Sequence, residues 1–533
     1  MRLKSDGVRR MLALLVQLMP VIVGILLGVS VLYSISSRRR AMKRYLYYSA
    51  FDPIFANLGF LFQFSGLLLI PPIAYAYYLQ EFNGGVAISL SCATFLFLGL
   101  MLSLFFEPKM LNLKQSCMLL LLYYTCVPLI ISIQFLYLGV FEGGFFEQFL
   151  NSLFEAASAI STTGFTLLRE TTLPNSLILA RAITEWNGGI GIIFLLLSSF
   201  YPSLALSHYG KALGIERFAG DYKISFTVVL LIYAINTAIF SVLLLLLGMD
   251  PFVALHTSLA VYSTTGLTIV DTLTLPFSVQ TLLAVIMLVS ALSFSLHLKI
   301  FSILITADWK ALLRGRLKNF VSSLLRNDSG PILTTETKLH VILIVVFTLI
   351  YWTVAKLDPF NAFLHVLSSS ASVGLNIIDP NKIDEIGKMV LMTVMLIGAS
   401  SFSIGGGIRV YRLYILGKTL IKLPRIFLVG EKLKIKGNNR DLELSEIMVH
   451  LLIIFLFVIL SFLASLILCG FGYSFTDALF ESVSAISTTG NMLVDLTQTS
   501  ISHKFLLVVL MLLGRIEIIP VFAAFSNVAE SER

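Results

Sequence analysis

Apolar runs of about 20 residues recur along almost the whole 533-residue chain, and this feature limits the fold more than any other. A helix of that length crosses the roughly 30 Å hydrocarbon core of a bilayer. Only 13% of the residues are charged, against roughly 25% in soluble domains, so an ordinary wet surface cannot be built. The sequence therefore predicts an integral membrane protein throughout.

The net charge of +8 is concentrated in a few loops. Lys310, Arg314, Arg316 and Lys318 form one basic cluster, and residues 418–440 contain another. An excess of Lys and Arg marks cytoplasmic loops, so both clusters are assigned to the cytoplasm. A nucleic-acid partner is not expected, because the chain has no basic domain with interleaved aromatic residues.

The N-terminal region contains one more apolar run, from Met11 to about Ser34, with arginines on both sides. The run is longer than the apolar part of a signal peptide, and the residues after it fit a cleavage site poorly. We expect an uncleaved extra helix whose topology the sequence does not fix. Pro20, Gly24 and Gly28 leave a bent interfacial or re-entrant helix as an alternative.

One short motif occurs four times along the chain. Residues 154–164 read FEAASAISTTG and residues 480–490 read FESVSAISTTG, with nine of eleven positions identical. The same ending recurs at 262–266, and a weaker copy lies at 371–374. Successive glycines of the motif are 102, 108 and 116 residues apart. The chain therefore contains four tandem copies of one unit.

Each copy of the motif follows one long apolar run and precedes another. The first runs cover about 116–140, 224–248, 339–356 and 447–470, and the second runs about 175–200, 278–305, 386–417 and 501–525. The dozen residues before each glycine are too few to span a bilayer, so they predict half-helices that enter the membrane and return. With the N-terminal helix and two spans at about 56–80 and 84–106, we expect about eleven crossings.

Four re-entrant loops imply a central aqueous pathway, because non-helical backbone inside a membrane must line water or protein. Rings of backbone carbonyls can replace the water shell of a monovalent cation. Glycine lets the backbone aim successive carbonyls at one axis without strain. The three residues that end each motif are named the filter loops, and we predict that they bind the ion: Thr162, Thr163 and Gly164; Thr264, Thr265 and Gly266; Ser372, Val373 and Gly374; Thr488, Thr489 and Gly490.

With these four filter loops, the sequence from about residue 55 to 525 resembles the TrkH/KtrB/HKT superfamily of potassium transporters, and within it the TrkH branch. Segments 181–191, 293–297 and 514–517 also resemble family elements. The resemblance implies an all-α membrane fold with four helix–pore loop–helix repeats in pseudo-fourfold arrangement around a central pore, plus extra N-terminal helices. One departure is Ser372-Val373 where the other loops have two threonines.

A glycine- and serine-rich segment, 398–409 (GASSFSIGGGIR), interrupts the second apolar run of the third repeat. A continuous helix would lose about 1 kcal/mol for each glycine relative to alanine, so a broken helix is expected there. The resemblance identifies the segment as an intramembrane gating loop, with Arg409 where the family usually has lysine. Close packing of small residues is the alternative. The predicted gate residues are Gly398, Ser401, Ser403, Gly405, Gly406, Gly407 and Arg409.

Several charged residues lie deep in apolar segments, where charges usually face a cavity or a partner. Arg515 is expected on the pore side, either holding loop carbonyls or placing a positive charge on the ion path. A structural pair with Glu155 or Glu481 is the alternative. These glutamates are otherwise expected to anchor the half-helices, with direct ion coordination as the competing interpretation.

The remaining polar residues point to no enzyme. The seven histidines are scattered, and His256, His297 and His365 are expected to be hydrogen-bonded core residues rather than proton relays. No catalytic cluster of carboxylates, histidines or cysteines is visible, and the four cysteines have neither metal nor disulfide spacing.

The sequence thus predicts potassium uptake across the inner membrane, with rubidium as a surrogate ion. An H⁺- or Na⁺-coupled symporter that uses the same pore is the alternative. The resemblance implies a homodimer in lipid that binds a cytosolic ring of RCK-type regulatory subunits. NAD or ATP/ADP would bind only to those subunits, and no covalent cofactor is expected. The two basic clusters could form the docking surface for the regulatory subunits. Alternatively, they could serve only to fix the orientation of the spans in the membrane.

The expected units follow from the repeat spacing and from the apolar runs. They are an N-terminal helix (1–45), an additional helix pair (46–110), pore repeat 1 (111–215), pore repeat 2 (216–330), pore repeat 3 with the gating loop (331–440) and pore repeat 4 (441–533).

Overall fold

The computed structural model of the chain describes residues 51–109, 111–168, 173–194, 226–306, 334–375, 377, 383–429, 435–436 and 441–525. Regular structure in these ranges is α-helical apart from two short 3₁₀ turns and one antiparallel strand pair, β1 (Ile435–Lys436) and β2 (Asp441–Leu442). A helix satisfies its own backbone groups, which lipid demands of a spanning segment. The predicted all-α fold is confirmed. The expected N-terminal helix and the basic cluster at 310–318 lie outside the described residues.

Two spans precede the repeats, close to the predicted ranges 56–80 and 84–106. They consist of α1 (Asp52–Leu68) with α2 (Ile70–Tyr78), and of α3 (Phe82–Phe105). α1 and α3 approach closely at glycines, since a Cβ added to Gly59 would lie 2.8 Å from the carbonyl oxygen of Gly99. Small residues at such crossings are typical of membrane helix pairs.

Each of the four repeats contains a long first helix, a short pore helix and a second helix. The first helices are α4 (Leu113–Leu138), α7 (Phe226–Leu246), α11 (Thr335–Ala355) and α15 (Leu444–Gly470). The pore helices are α5 (Phe145–Ile160), α8 (Pro251–Tyr262), α12 (Pro359–Ser370) and α16 (Phe475–Ile486). The second helices are α6 (Asn175–Phe194), α9 (Phe277–Ala291) with α10 (Phe294–Thr306), α13 (Glu385–Ile397) with α14 (Val410–Val429), and α17 (Ile501–Ile516) with α18 (Ile519–Phe525).

The pore helices are half-helices, as predicted. Three of them have 12 residues, and at 1.5 Å per residue they extend only about 18 Å. In the second and third repeats Asp250 and Asp358 cap the helix by accepting hydrogen bonds from the backbone N–H of Phe252 and Phe360. A proline follows each aspartate at the first helical position, where its missing N–H costs nothing.

Two second helices are broken where we expected continuous runs, so the predictions of 278–305 and 501–525 as single helices are wrong. α9 and α10 meet at an angle of 102° across residues 292–293. α17 and α18 are separated by Glu517 and Ile518, which both have positive φ. The break at residues 292–293 contains neither glycine nor proline, whereas Pro520 lies just after the break at 517–518 and is a local helix-stop signal.

The second helix of the third repeat is broken where the glycine-rich segment predicts it. α13 ends at Ile397 and α14 begins at Val410. α14 then continues to Val429, so the basic cluster assigned to a loop at 418–440 is helical in its first half. The leucines, lysines and arginines of this segment are good helix formers. Because positions such as Leu428 are exposed, helix propensity rather than tertiary packing determines the conformation there.

Within the described ranges, six helices are long and apolar enough to cross a membrane, or seven if α9 and α10 count as one bent span. The expectation of about eleven crossings included the N-terminal helix and one second span in every repeat, with the span of repeat 3 broken. In repeats 2 to 4 those second helices consist of shorter segments.

Large apolar side chains cover the outer faces of the first helices. Leu246 on α7, Leu349 on α11 and Leu466 on α15 are 75%, 53% and 48% exposed. The filter loops, by contrast, are buried although they are rich in hydroxyl groups. This distribution is that of a protein solvated by lipid, with its polar backbone and side chains collected at the centre.

Candidate functional site

The four filter loops share one backbone conformation. A left-handed residue costs about 1–2 kcal/mol when it is not glycine. The sequence predicts this conformation for the glycines, yet the first residue of each loop adopts it too, which marks strain held by the surrounding structure. The φ angles are 53° and 89° at Thr162 and Gly164, 63° and 71° at Thr264 and Gly266, 57° and 71° at Ser372 and Gly374, and 52° and 82° at Thr488 and Gly490.

The loops of successive repeats lie side by side in a closed ring. A Cβ added to any filter glycine would come within 3.0 Å of a backbone carbonyl oxygen of the next repeat. Glycine is therefore needed at these positions both for its φ angle and for the close approach of a neighbouring backbone. The contacts run from Gly164 to Thr265, from Gly266 to Val373, from Gly374 to Thr489, and from Gly490 back to Thr163.

A serine–threonine hydrogen bond supports the filter loop in three repeats. The hydroxyls are 2.7 Å apart at Ser161 and Thr163, 3.0 Å at Ser263 and Thr265, and 2.8 Å at Ser487 and Thr489. The third repeat has Ala371 and Val373 in the corresponding places. Both hydroxyls are absent together, so no buried hydroxyl loses its partner, which explains why valine is accommodated in this loop.

Glu155 and Glu481 anchor the backbone that leaves the filter. Glu155 accepts hydrogen bonds from the backbone N–H of Leu167 and from the Thr166 hydroxyl, and lies 3.9 Å from Arg181. Glu481 accepts from the backbone N–H of Val494 at 3.1 Å, and its second oxygen lies 3.2 Å from Nε2 of His503. This geometry favours the anchoring role over direct ion coordination.

Arg515 reaches two backbone carbonyls rather than a glutamate. Its Nη1 donates to the carbonyl of Ile404 at 2.8 Å, and its Nη2 donates to the carbonyl of Gly188 at 2.7 Å. The alternative pair with Glu155 or Glu481 is not formed. Arg515 thus links the second helix of repeat 4 to the glycine-rich loop of repeat 3 and to α6 of repeat 1.

The predicted gating loop, residues 398–409, is buried along its whole length. Its two ends meet at Gly398 and Gly407, which both have positive φ. A Cβ on Gly398 would lie 2.8 Å from Cα of Gly407, so only glycines allow the ends to approach this closely. The backbone N–H of Ala399 donates to the carbonyl of Gly406 at 3.2 Å and closes the loop.

The gating loop lies directly against the filter. The backbone N–H of Gly406 donates to the Ser372 hydroxyl at 3.1 Å. A Cβ on Gly405 would lie 2.7 Å from the carbonyl oxygen of Ala371, and one on Gly406 would collide with the carbonyl of Ser487. The glycines of this segment therefore serve close contact with the filters of repeats 3 and 4.

Arg409 and Arg412 share one carboxylate from another repeat. Arg409 Nη2 lies 3.1 Å from Oε1 of Glu517, and Arg412 Nη2 lies 2.5 Å from Oε2. Arg409 also donates to the Ser403 hydroxyl at 3.1 Å and to the carbonyl of Gly405. The arginine that replaces the usual lysine thus binds several groups at once through its planar guanidinium.

The unexpected break in repeat 2 contacts the same loop. The backbone N–H of Ser400 donates to the carbonyl of Ala291 at 3.1 Å, and that of Phe294 donates to the carbonyl of Phe402 at 2.8 Å. Breaking the helix at residues 292–293 frees these backbone groups for the loop. Repeats 2, 3 and 4 therefore contribute contacts to the gating loop, and Arg515 connects it to repeat 1.

Glu336 and His340, on the first helix of repeat 3, contact the gating loop and were not identified from the sequence. A signal was present, since the pattern Glu-x-x-x-His recurs at Glu446 and His450 in repeat 4.

The three histidines expected in the core are buried. His365 bonds to the Tyr351 hydroxyl at 3.0 Å, and His297 lies 3.0 Å from the carbonyl of Val289. His256 has no hydrogen-bond partner among the described residues, which differs from the satisfied histidine that we expected.

Comparison with known protein families gives one match over most of the chain. Residues 145–533 match the model of the TrkH family, described as "cation transport protein". The matched region contains all four filter loops and the gating loop.

Similar curated proteins are transporters. The chain is 24% identical over 485 residues to an uncharacterized cation transporter of Methanocaldococcus jannaschii, covering 88% of this chain and 94% of the relative. It is 25% identical over 400 residues to the Trk system potassium uptake protein TrkH of Escherichia coli K12, covering 70% and 78%. It is 32% identical over 160 residues to the Ktr system potassium uptake protein D of Bacillus subtilis, covering 30% and 34%.

Among solved structures, the fold is similar to that of the potassium transporter TrkH from Vibrio parahaemolyticus. The TM-score is 0.71 at 20% sequence identity, and the match covers 90% of this chain and 99% of the other. The coverage extends the likeness in fold to the helices before the first repeat.

Proposed function

The chain belongs to the TrkH family of cation transport proteins, and on that premise we propose that it takes up potassium through a channel-like pore. It is a multi-pass membrane protein of a transport family rather than an enzyme. The observation that carries the proposal is the closed ring of four filter loops, each with a left-handed glycine against the backbone of the next repeat.

The filter loops bind the partly dehydrated ion through backbone carbonyls, which replace its water without a fixed negative charge. The proposed ligands are the residues of the four filter loops, with the pore helices pointing the negative ends of their dipoles at the ion. Glu155 and Glu481, the acidic side chains near the loops, accept hydrogen bonds from the backbone N–H of Leu167 and Val494 and are not proposed as ion ligands. The ion is cargo and not a structural metal.

The gating loop closes this pathway beneath the filter. Support comes from its burial and from its contact with the Ser372 hydroxyl, which leaves little room between loop and filter. Arg409 and Arg515 bind the carbonyls of Gly405 and Ile404, so these groups are not available to an ion. In this interpretation the arginines hold the closed loop, and a regulatory signal must separate them from it.

The proposed partners are a second copy of this chain and a cytosolic regulatory ring. We propose a homodimer of this chain in the inner membrane with a cytosolic RCK-type ring that senses NAD or ATP/ADP. The exposed basic positions of α14 support a docking surface near the gate, since this helix continues directly from the gating loop. Repeats 1 to 4, divided as in the sequence at 111, 216, 331 and 441, are the proposed functional units.

Flux measurements test the transport proposal. Purified protein in liposomes should take up rubidium and potassium well and sodium poorly, and added regulatory subunit should change the rate. Equal sodium and potassium uptake would contradict the carbonyl filter. Uptake that needs an imposed proton or sodium gradient, and stops without it, would favour the coupled symporter instead.

A further inference from the structure

Two polar residues on α11, the first helix of repeat 3, contact the gating loop. Glu336 is 2% exposed and His340 is fully buried, and they lie one helical turn apart. Glu336 Oε1 accepts a hydrogen bond of 2.5 Å from the backbone N–H of Ser401. His340 Nδ1 lies 3.1 Å from the Ser400 hydroxyl. One face of α11 therefore contacts two successive loop residues.

Glu336 supplies an acceptor that the broken helix lacks. Residues 398–409 are not helical, so their backbone N–H groups need partners from other segments. A carboxylate that accepts from a backbone N–H makes a charge-assisted bond, which is shorter and stronger than a neutral one. Because buried carboxylates in a membrane are costly, the position of Glu336 opposite Ser401 indicates a specific role.

His340 connects the gating loop to the end of pore helix α12. Its Nε2 lies 2.9 Å from the hydroxyl of Ser370, two residues before the filter residue Ser372. Serine hydroxyls can donate or accept, so the neutral ring can bond Ser400 and Ser370 at the same time. The side chain therefore fixes the loop relative to the filter.

The equivalent pair in repeat 4 is engaged differently. Glu446 and His450 are also buried, at 0% and 1% exposure, on the first helix of their repeat. Glu446 accepts from the backbone N–H of Glu443 in a capping box, and His450 packs edge-on against the ring of Tyr411. The two pairs have the same residue types and spacing, so repeat 4 supplies a matched control.

We propose that Glu336 and His340 are positioning residues that hold the gating loop in its closed place, so that α11 acts on the gate from outside the pore. The proposal rests on the proposed function of this loop as the gate. Movement of α11 relative to α12 would separate His340 from Ser370 or Ser400 and release the loop. The contacts between the filter glycines and the carbonyls of neighbouring repeats do not involve α11 or the loop, so the leak should keep its ion selectivity.

The test is basal rubidium flux into liposomes that contain the purified full chain without regulatory subunit. His340→Ala should raise basal flux by between about twofold and tenfold, the range that corresponds to one lost neutral hydrogen bond, and Glu336→Ala by about tenfold or more, because a bond to a charged group is lost. The ratio of rubidium to sodium flux should stay at the wild-type value. Glu336→Gln keeps an oxygen acceptor for Ser401 and should keep flux near wild type. Glu446→Ala and His450→Ala should not raise it.

Ser400→Ala is a milder variant that leaves Glu336 and His340 in place, in case the first variants fold poorly. Its effect should approach that of His340→Ala, and the double variant should leak no more than His340→Ala alone, because His340→Ala already removes the contact with Ser400. Additive effects in this pair, or equal leaks from the repeat 4 controls, would overturn the proposal.

Deletion of Ser401–Gly406 separates the failure of this proposal from failure of the gate. If the deletion raises flux while Glu336→Ala, His340→Ala and Ser400→Ala do not, the loop is a gate but Glu336 and His340 on α11 do not hold it closed. If the folded deletion variant keeps wild-type flux, the loop is not the gate. The proposed gating function of the loop and the proposed role of Glu336 and His340 are then both wrong.

Discussion

Repeat 3 differs from the other repeats in two coupled places, although all four have the same filter backbone. Its second helix opens into the gating loop, and its filter has lost the serine–threonine hydrogen bond. The hydroxyl of Ser372 binds Gly406 of the loop, whereas the hydroxyls of Thr162, Thr264 and Thr488 have no partner among the described residues. The filter backbone is thus common to all four repeats, whereas the glycine-rich loop and its contact with the filter occur in repeat 3.

The strongest test of the filter ring, which all four repeats share, is substitution of its glycines. Gly164→Ser should reduce the preference for potassium over sodium by an order of magnitude or more, because strain of about 1–2 kcal/mol and a collision with the Thr265 carbonyl both displace the ring. Gly266→Ser, Gly374→Ser and Gly490→Ser should act alike. Competitive flux assays measure the ratio, and unchanged selectivity in three of the four variants would refute the ring.

The largest effect confined to repeat 3 is expected from loop deletion. Removal of residues 401–406 should raise basal rubidium flux about tenfold or more and weaken the response to the regulatory subunit, since the segment against the filter is gone. The measurement is flux normalised to correctly inserted protein. The glycine substitutions provide the contrast, because they should change selectivity more than basal rate.

Arg515→Gln should have an intermediate effect. The charge-assisted bonds to Ile404 and Gly188 are lost, so the loop should loosen and basal flux should rise by about fivefold with insertion intact. Arg515→Lys keeps the positive charge but cannot bond both carbonyls in the same way. This variant therefore distinguishes a role in holding the loop carbonyls from a role of the charge on the ion path. Recovery of wild-type flux in the lysine variant would favour a pure charge effect on the ion path.

Ser372→Ala should raise basal flux by about two- to fivefold, because one hydrogen bond between filter and loop is lost. The matched variant Thr264→Ala removes a hydroxyl from the same position of another filter and should not open the gate. A rise of equal size in both variants would mean that the hydroxyls act on the ion and not on the loop.

The smallest effect concerns the support of the filter in repeats 1, 2 and 4. Thr163→Val removes one of the two partners of the Ser161 hydroxyl, which keeps the carbonyl of Ser158, and should destabilise the protein by about 0.5–1.5 kcal/mol, while the double variant with Ser161→Ala should be nearly neutral. Thermal unfolding of the detergent-solubilised protein measures both. If the double variant is no better than the single one, the Ala371–Val373 pair needs another explanation.

Much of the architecture could be predicted because it depends on local sequence. The lengths of the apolar runs predicted the first helices, and the short motifs predicted the pore helices. Gly398 and Gly407 predicted the break in repeat 3. The break at residues 517–518 had a local signal in Pro520, but the break at residues 292–293 could not be predicted in this way. Leu292 and Ser293 are neither glycine nor proline, and the carbonyl of Ala291 and the backbone N–H of Phe294 bond to Ser400 and Phe402, which are distant in the chain.

The sequence by itself determined the fourfold repeat, the membrane environment and the positions that need glycine, since these depend on composition and on φ angles that each residue allows. Only the tertiary structure decided which groups meet across repeats. Glu517 pairs with Arg409 and Arg412 more than 100 residues away, and Glu336 meets Ser401 across 65 positions. Such pairings depend on the order in which helices surround the pore, and no local pattern encodes that order.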